Sequence, residues 1–425
     1  MENWLKWWVK MYINKRNKED IDFFRISEKY PHISRFIILK IELQRRGVVL
    51  SDQALKRVNI EVHQTKQRSF SRESEDNIPV SLMLRDGTMV VTRPTVVKKG
   101  KNKLDPILVD VEDEKLVLKD SGEVLEEVFY WEKPDYYEKK TSRGIPMWQI
   151  ASARPQRIDI NPYQFCDFWK IGKYGCKFCE IASTYYKQKK PCILNLDDIR
   201  ETVKEALKEK GRYTSVFMTG GTCLSGNELF DDEVDLYIKI LQEIGNNFSS
   251  FKFPSQLIGS AYSKNQLNRL YKNTGLMSYT ADLEVLDEKM FEWICPGKAH
   301  YVGYNNWKER LYQAVDIFGR GYVNTGIVSG IELASPNGFK IEEEGIRNTL
   351  LEAEELFRNG VSVVSCVWRI APGSIFASQR QPSLDYYVQV ADGLNNLNKK
   401  YGVNNGMDDY RRCGNHPNTD LARIW

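Results

Sequence analysis

Histidine is scarce in this chain. The 425 residues hold four, His32, His63, His300 and His416, and none stands in the H-x3-5-H spacing that completes a Cys2His2 zinc site. Charge of one sign is missing too: 61 basic against 57 acidic side chains leave a formal charge of +4, with no electrostatic footprint for a nucleic acid. No apolar run approaches the roughly 20 residues of a membrane span. The opening MENWLKWWVKMYINKR has aromatic and basic residues but no sustained apolar stretch of the kind a secretory signal needs. Eight cysteines in a chain of this length, with no leader, do not read as a disulfide framework. A reducing, cytoplasmic compartment fits them better. Trp4, Trp7 and Trp8 beside Lys6 and Lys10 describe a first helix that packs on the protein's own body in preference to a membrane surface.

What is present begins with bulk. Hydrophobic residues make up 42%, and a chain this long buries a large core and has room for more than one domain. Its most informative segment is INPYQFCDFWKIGKYGCKFCEIAS, where Cys166, Cys176 and Cys179 form a C-x9-C-x2-C pattern just after a strand. Three thiolates can hold three irons of a [4Fe–4S] cluster and leave the fourth open. Three other readings share the pattern. The cysteines can be small buried hydrophobes, zinc ligands completed from elsewhere, or in part a C-x2-C redox pair.

From about residue 157 the chain alternates strand and helix. RIDINPY, YTSVFM, SQLIGS, MSYTADLEV, YVNTGIVSG and VSVVSCVW read as strands. LDDIRETVKEALKEKG, DDEVDLYIKILQEIG, KNQLNRLYKNTG, WKERLYQAVDIFGRG, IEEEGIRNTLLEAEELFRNG and LDYYVQVADGLNNLNKKYG read as helices, with Asp197 as the N-cap of the first. Such alternation gives an α/β fold with a parallel sheet and helices outside it. Six repeats close only part of a barrel. Residues 1–150 differ: a helical, polar start, a charged loop QTKQRSFSRESEDN, then a small β-rich part with hairpin signals at Asp86-Gly87 and Asp120-Ser121-Gly122 and a solvated turn KKGKNK. The expected division is an accessory module over 1–150, the barrel over 151–402 and a tail over 403–425.

The cysteine pattern, placed after the first barrel strand, resembles the radical SAM superfamily, with x9 where that family's usual first gap is x3. The resemblance covers roughly residues 155–400, and the later strands are most like the biotin synthase branch. It implies a partial (β/α)6 TIM-like barrel. It also implies an enzyme whose [4Fe–4S] cluster, on Cys166, Cys176 and Cys179, reductively cleaves S-adenosylmethionine. The 5′-deoxyadenosyl radical then takes a hydrogen from a substrate. An electron donor such as flavodoxin or ferredoxin is implied as partner.

Residue by residue, Phe178 resembles the aromatic that lies against adenine. Thr219, Gly220 and Gly221 stand where the family has Gly-Gly-Glu, with Thr222 in the place of Glu. Glu284 resembles the polar residue that bonds the ribose or methionine part, and a Lys or Arg ion pair is its plain alternative. Asn324, Gly330 and Ile331 resemble the G-x-I-x-G region against adenine. Arg369, in VWRIAPGS, and Lys298, in a Cys295-Pro296-Gly297-Lys298 loop, are candidates for an anionic substrate. Cys223 and Cys366, near strand ends, are candidate hydrogen-atom donors. Cys192, Cys295 and Cys413 show no spacing for a second cluster, and Cys413-Gly414-Asn415-His416 reads as a cap on the barrel, with contact to a metal as the second reading. A zinc-stabilised binding protein and an electron-transfer iron–sulfur protein are the alternative functions.

Overall fold

The computed structural model describes residues 21–65, 78–79, 81–92, 104–154, 156–188, 191–403 and 416–422. The tryptophans of the first helix, most of the 64–77 charged loop, KKGKNK and Cys413 lie outside the described residues.

The first part carries three helices, α1 (Asp22–Lys29), α2 (Arg35–Arg46) and α3 (Asp52–Lys56). Its sheet holds β1 (Val48–Leu50), β2 (Ser81–Leu84), β3 (Met89–Val91), β4 (Ile107–Glu112), β5 (Lys115–Asp120) and β6 (Glu123–Tyr130). The strand order is β1-β4-β5-β6-β2-β3. The two hairpin turns sit where Asp86-Gly87 and Asp120-Ser121-Gly122 place them, between β2 and β3 and between β5 and β6.

The second sheet is the barrel. After β7 (Ala151–Arg154) come β8 (Arg157–Ile160), α4 (Asp167–Lys170), α5 (Ile181–Gln188), α6 (Leu196–Ala206), β9 (Ser215–Met218), α7 (Asp231–Gly245), β10 (Ser255–Ile258), α8 (Lys264–Asn273) and β11 (Ser278–Thr280). They are followed by α9 (Glu288–Ile294), α10 (Pro296–Tyr301), α11 (Tyr304–Phe318), β12 (Val323–Ser329), α12 (Glu342–Arg358), β13 (Val361–Val367), α13 (Leu384–Tyr401) and α14 (Pro417–Leu421). The strands lie in the order β13-β12-β11-β10-β9-β8-β7. β8 to β13 are parallel neighbours in chain order, and β7 runs antiparallel along the outer edge of β8. Sequential parallel strands joined by helices wind one way, so the sheet curls into a partial (β/α)6 barrel.

Local chemistry explains most boundaries. α6 begins at Asn195, whose Oδ1 accepts from the Asp197 and Asp198 amides at 2.9 and 3.3 Å. Asp197, expected as the cap, is instead inside the first turn, where its charge suits the helix dipole. Ser263 and Gln266 close a capping box on α8. Cys295-Pro296-Gly297-Lys298 is not a loop: Cys295 joins two helices and Pro296 takes the first position of α10, where a missing N–H costs nothing.

The open edge of the barrel is closed by the C-terminal helix α14. Asn418 Oδ1 accepts from the Ser365 amide at 2.9 Å, and its Nδ2 donates to the Val363 carbonyl at 2.9 Å. One side-chain amide thus meets β13 as a neighbouring strand would. Lys40 of α2 pairs with Asp420 of α14, and both side chains are 2% exposed or less. One continuous hydrophobic core runs from α1 through both sheets to Val403.

Candidate functional site

The C-terminal ends of β8 to β13 surround a cavity of about 320 Å³. Parallel sheets gather their loops at this end, so side chains distant in sequence meet there. Its walls carry Cys166, Cys176 and Cys179 from the loop after β8, Phe178 between the last two, and Thr219-Gly220-Gly221-Thr222 from the end of β9. Asp282 and Glu284 follow β11, Lys298 comes from α10, and Arg369 follows β13. Ten of the residues singled out in the sequence therefore share one space: Cys166, Cys176, Cys179, Phe178, Thr219, Gly220, Gly221, Glu284, Lys298 and Arg369.

The cysteine loop is held from below. Cys166 is the N-cap of α4. Asp167 donates its amide to Thr222 O at 2.8 Å, and Gly221 donates to Tyr163 O at 3.0 Å. Asp167 Oδ2 accepts from the Leu224 amide at 2.9 Å, and its Oδ1 accepts from the Tyr163 hydroxyl at 2.6 Å. A β-carbon on Gly221 would overlap the Phe165 carbonyl and stand 2.8 Å from Cys166 Cα; one on Gly220 would stand 2.8 Å from Tyr163 O. The two glycines let the β9 turn and the cysteine loop touch backbone to backbone.

All seven described cysteines are free thiols. Burial pushes the Cys166 thiol up to about 12 and raises Cys179 as well, and charge on Cys176 raises both further. Cys176 goes the other way: a hydrogen bond from Cys295 and the nearby Lys298 ammonium outweigh burial and lower it. Among the described residues no three His, Cys, Asp or Glu side chains converge as ligands of one metal ion. The three thiols are instead spread along the cavity wall, within reach of each other's charge.

Glu284 sits at φ 70 in an isolated bridge beside Ile327. Its amide donates to Gly326 O at 2.9 Å and its carbonyl accepts from Val328 N at 2.8 Å. This left-handed residue is an uncommon conformation for a side-chain-bearing position, and it turns the carboxylate toward the cavity. Lys298 Nζ donates to Glu284 Oε1 at 2.7 Å and to Asp282 O at 2.6 Å. Lys298 is thus buried and engaged with Glu284, the ion pair anticipated as the alternative. Burial still lifts Glu284 to about 7 against the pull of Lys298.

Five candidates do not line the cavity. Asn324, second residue of β12, is fully buried near the N-terminal end of the strand and donates to Ser278 Oγ at 3.0 Å. Gly330 and Ile331 lie past the strand; a β-carbon on Gly330 would meet Pro382 Cγ at 2.7 Å, and Ile331 is fully buried. Cys223 donates its amide to Glu233 Oε2 at 2.7 Å. Cys366, in β13, stands close enough to Glu284, Asp282 and Arg369 to feel their charges, and burial pushes its thiol up to about 12.

Glu233 is the residue that sequence reasoning passed over. It belongs to the first turn of α7, is 1% exposed and reaches the cavity wall. It accepts from Cys223 N at 2.7 Å, Ser260 N at 3.0 Å, Ser260 Oγ at 3.2 Å and Tyr262 OH at 2.7 Å. Burial raises its proton affinity and these donors oppose it. It braces the loops after β9 and β10, where Ser260 Oγ also donates to Thr222 Oγ1 at 3.2 Å.

No family model matches the sequence. Among curated proteins the chain is 25% identical over 290 residues to a bacteriochlorophyllide c C-7(1)-hydroxylase of Chlorobaculum limnaeum, across 65% of this chain and 67% of that protein. It is 26% identical over 171 residues to a 5-amino-6-(D-ribitylamino)uracil–L-tyrosine 4-hydroxyphenyl transferase of Archaeoglobus fulgidus, across 35% of this chain and 46% of that one. The second match therefore spans less than half of that relative's length. Solved structures include a radical SAM methyltransferase from Sphaerobacter thermophilus, with a TM-score of 0.41, 12% identity and 94% and 98% of the two chains covered. Methylornithine synthase gives 0.39, 16%, 59% and 70%. In sequence the chain is thus similar to these two curated proteins over 65% and 35% of its length.

Proposed function

We propose that this chain is a radical SAM enzyme, in which Cys166, Cys176 and Cys179 hold a [4Fe–4S] cluster and the adjoining cavity takes S-adenosylmethionine. The observation that carries this reading is that the three thiols, Phe178, the Thr219–Gly221 strand end and Glu284 all line one cavity. The donor set suits the group: three free, mutually interacting thiols, one per iron, with one iron left for the cofactor. When bound, the cluster and S-adenosylmethionine together supply a 5′-deoxyadenosyl radical that abstracts hydrogen from a substrate carbon.

The chain's own residues have simpler work. The β9 turn fixes the base of the cysteine loop through Gly221 and Thr222. Phe178 offers a flat apolar wall, and Glu284, oriented by Lys298, offers a carboxylate to hydroxyl or amino groups. Arg369 lines the cavity, and its guanidinium would receive an anionic group of the substrate. Cys223, next in sequence to the cavity-lining Thr222, and Cys366 in β13 are the two candidate hydrogen donors. An acidic single-electron donor such as flavodoxin or ferredoxin would supply the reductant. Among the described residues no helix is long and apolar enough to cross a membrane.

The test is 5′-deoxyadenosine formation. The protein is purified without oxygen, reconstituted with iron and sulfide, and given dithionite and S-adenosylmethionine. The nucleoside is expected from the wild type and not from the Cys166→Ala/Cys176→Ala/Cys179→Ala variant. A colourless protein holding stoichiometric zinc would overturn the reading in favour of a binding protein. A brown protein that leaves S-adenosylmethionine intact with every substrate candidate would favour electron transfer.

A further inference from the structure

We propose that the outer face of the cysteine loop is the docking surface for a small acidic one-electron carrier protein. The inference rests on the reading of Cys166, Cys176 and Cys179 as cluster ligands, and it adds where on this chain the electron enters.

Three segments assemble the surface. After α4 the chain turns outward: Gly172, at φ 80, donates its amide to Trp169 O at 3.2 Å, and Lys173 donates to Ile171 O at 3.0 Å. Glycine takes that positive φ without strain. The turn leaves Lys170, Ile171 and Lys173 exposed, Ile171 at 46%. Lys170 Nζ reaches back to Asp167 Oδ1 at 2.6 Å and to the Tyr163 hydroxyl at 3.3 Å. Tyr163 in turn bridges to Ile193, which is 50% exposed, and the Gln164 amide donates to Cys192 O at 2.8 Å. Tyr186 of α5, 67% exposed, stands edge-on to Phe165 at 5.7 Å. The three segments therefore meet around residues 163–165, directly before Cys166.

The charge of this face is one-sided. From Asp167 to Cys179 the chain has the lysines Lys170, Lys173 and Lys177 and one acid, Asp167, whose side chain is 9% exposed. Residues 181–186 and 191–194 carry no charge. Glu180, between them, lies on the cavity wall, and Glu228 of the neighbouring loop accepts from Ser263 Oγ, at the start of α8, at 3.5 Å. Single exposed apolar side chains are ordinary, but Ile171, Tyr186 and Ile193 share one small face beside lysines. A basic rim around apolar contacts steers an acidic partner. The small face suits an encounter burying less than about 1,200 Å², the class of weak electron-transfer complexes. Position selects the partner: the loop that shows Lys170 and Lys173 to solvent carries Cys166 and Cys176 on the cavity wall. One electron leaves the carrier's reduced flavin or iron–sulfur centre and is taken up by the group on the three thiolates, and no bond forms or breaks at the contact.

The experiment uses the full chain with a flavodoxin and a ferredoxin as probes. Binding is followed by calorimetry at about 50 and about 300 mM salt, and nucleoside formation is driven either by the reduced probe or by dithionite. Binding of at least one probe is expected, weakening with salt. Lys173→Glu and Ile193→Asp are each expected to weaken it roughly 10-fold. Probe-driven nucleoside formation should fall with binding, while the dithionite-driven rate and the circular dichroism spectrum stay at wild-type values. Lys239→Glu, on the exposed side of α7, is the control for charge alone and should bind as the wild type does. The proposal falls if neither probe binds, or if both surface variants bind like the wild type. It falls equally if a duplex or single-stranded oligonucleotide binds this face more tightly than either probe, which would make the partner a nucleic acid. A wild type that takes up no iron defeats the enzyme reading instead, and calorimetry on the iron-free chain still decides whether the face binds an acidic carrier.

Discussion

Gly221 and Cys166 are in such close register that a β-carbon on the glycine would stand 2.8 Å from Cys166 Cα. A turn after β9 thereby fixes where the first thiol begins. Gly221→Ala must push the 165–167 backbone away, so the loop loses its seat while the barrel core is untouched. The expected outcome is an unchanged far-ultraviolet circular dichroism spectrum with iron affinity lowered roughly 10-fold. Full iron occupancy at wild-type affinity would show that the contact has slack.

Glu233 answers to four donors at once. Truncating it to Ala orphans the Cys223 and Ser260 amides and the Tyr262 hydroxyl in a buried place, a loss on the order of 3 kcal/mol. Glu233→Gln keeps the volume and one acceptor and is expected to lose less. Urea denaturation of the two variants checks the order; an Ala variant as stable as the Gln variant would remove Glu233 from this bracing role.

Glu332 gives a pH dependence. It is buried, accepts from the Gly330 amide at 2.9 Å and from the Tyr386 hydroxyl, and burial lifts it from 4.5 to about 7. The folded state holds this proton more tightly than the unfolded one. Its contribution is therefore complete below about 4.5 and drains away as pH rises through about 7. The full swing is on the order of 3 kcal/mol. Glu332→Gln is expected to flatten the fall in unfolding free energy between those limits, with the part due to Glu284, raised in the same direction, left in place. Denaturation curves at pH 4.5 and 7.5 measure it, and an unaltered slope would refute it.

Lys298 and Glu284 form a pair in which neither side chain is more than 16% exposed. Lys298→Met leaves a carboxylate facing Asp282 alone, so Glu284 should hold its proton to still higher pH. The expected cost is about 3 kcal/mol. Glu284→Gln added to Lys298→Met should recover part of it, because the unpaired charge is gone. Absence of any recovery would mean that the pair does not act as one unit.

The barrel was legible because period-2 and period-3.6 patterns alternate six times, and each apolar run is flanked by turn residues. The cysteine loop stood out in the sequence because three cysteines crowd into 14 residues, and all three line the cavity. Other features depended on what folding brings together. Asn195 and Asp197 are both good caps two residues apart, and only the backbone turn decides between them. Glu233 lies in an Asp-Asp-Glu run that reads as a solvated first turn; nothing local says that the loop after β10 will fold over it. Pro296 and Gly297 look like loop residues, yet one starts a helix and the other admits Tyr174 and Phe168. Asn324 was expected near the cavity because its segment resembles a region against adenine, but a parallel strand has a working end and a closed end, and position 324 is near the closed one.

Asn418 bears on solubility. By engaging both ends of its amide with Val363 and Ser365, it takes one donor and one acceptor of the β13 rim out of reach of another molecule's backbone. Removing α14 would expose that rim as a sticky flank seven residues long, open to strand addition from a second copy. The tail past residue 416 is in this sense a guard against self-association, and deletion of it should appear first as concentration-dependent aggregation.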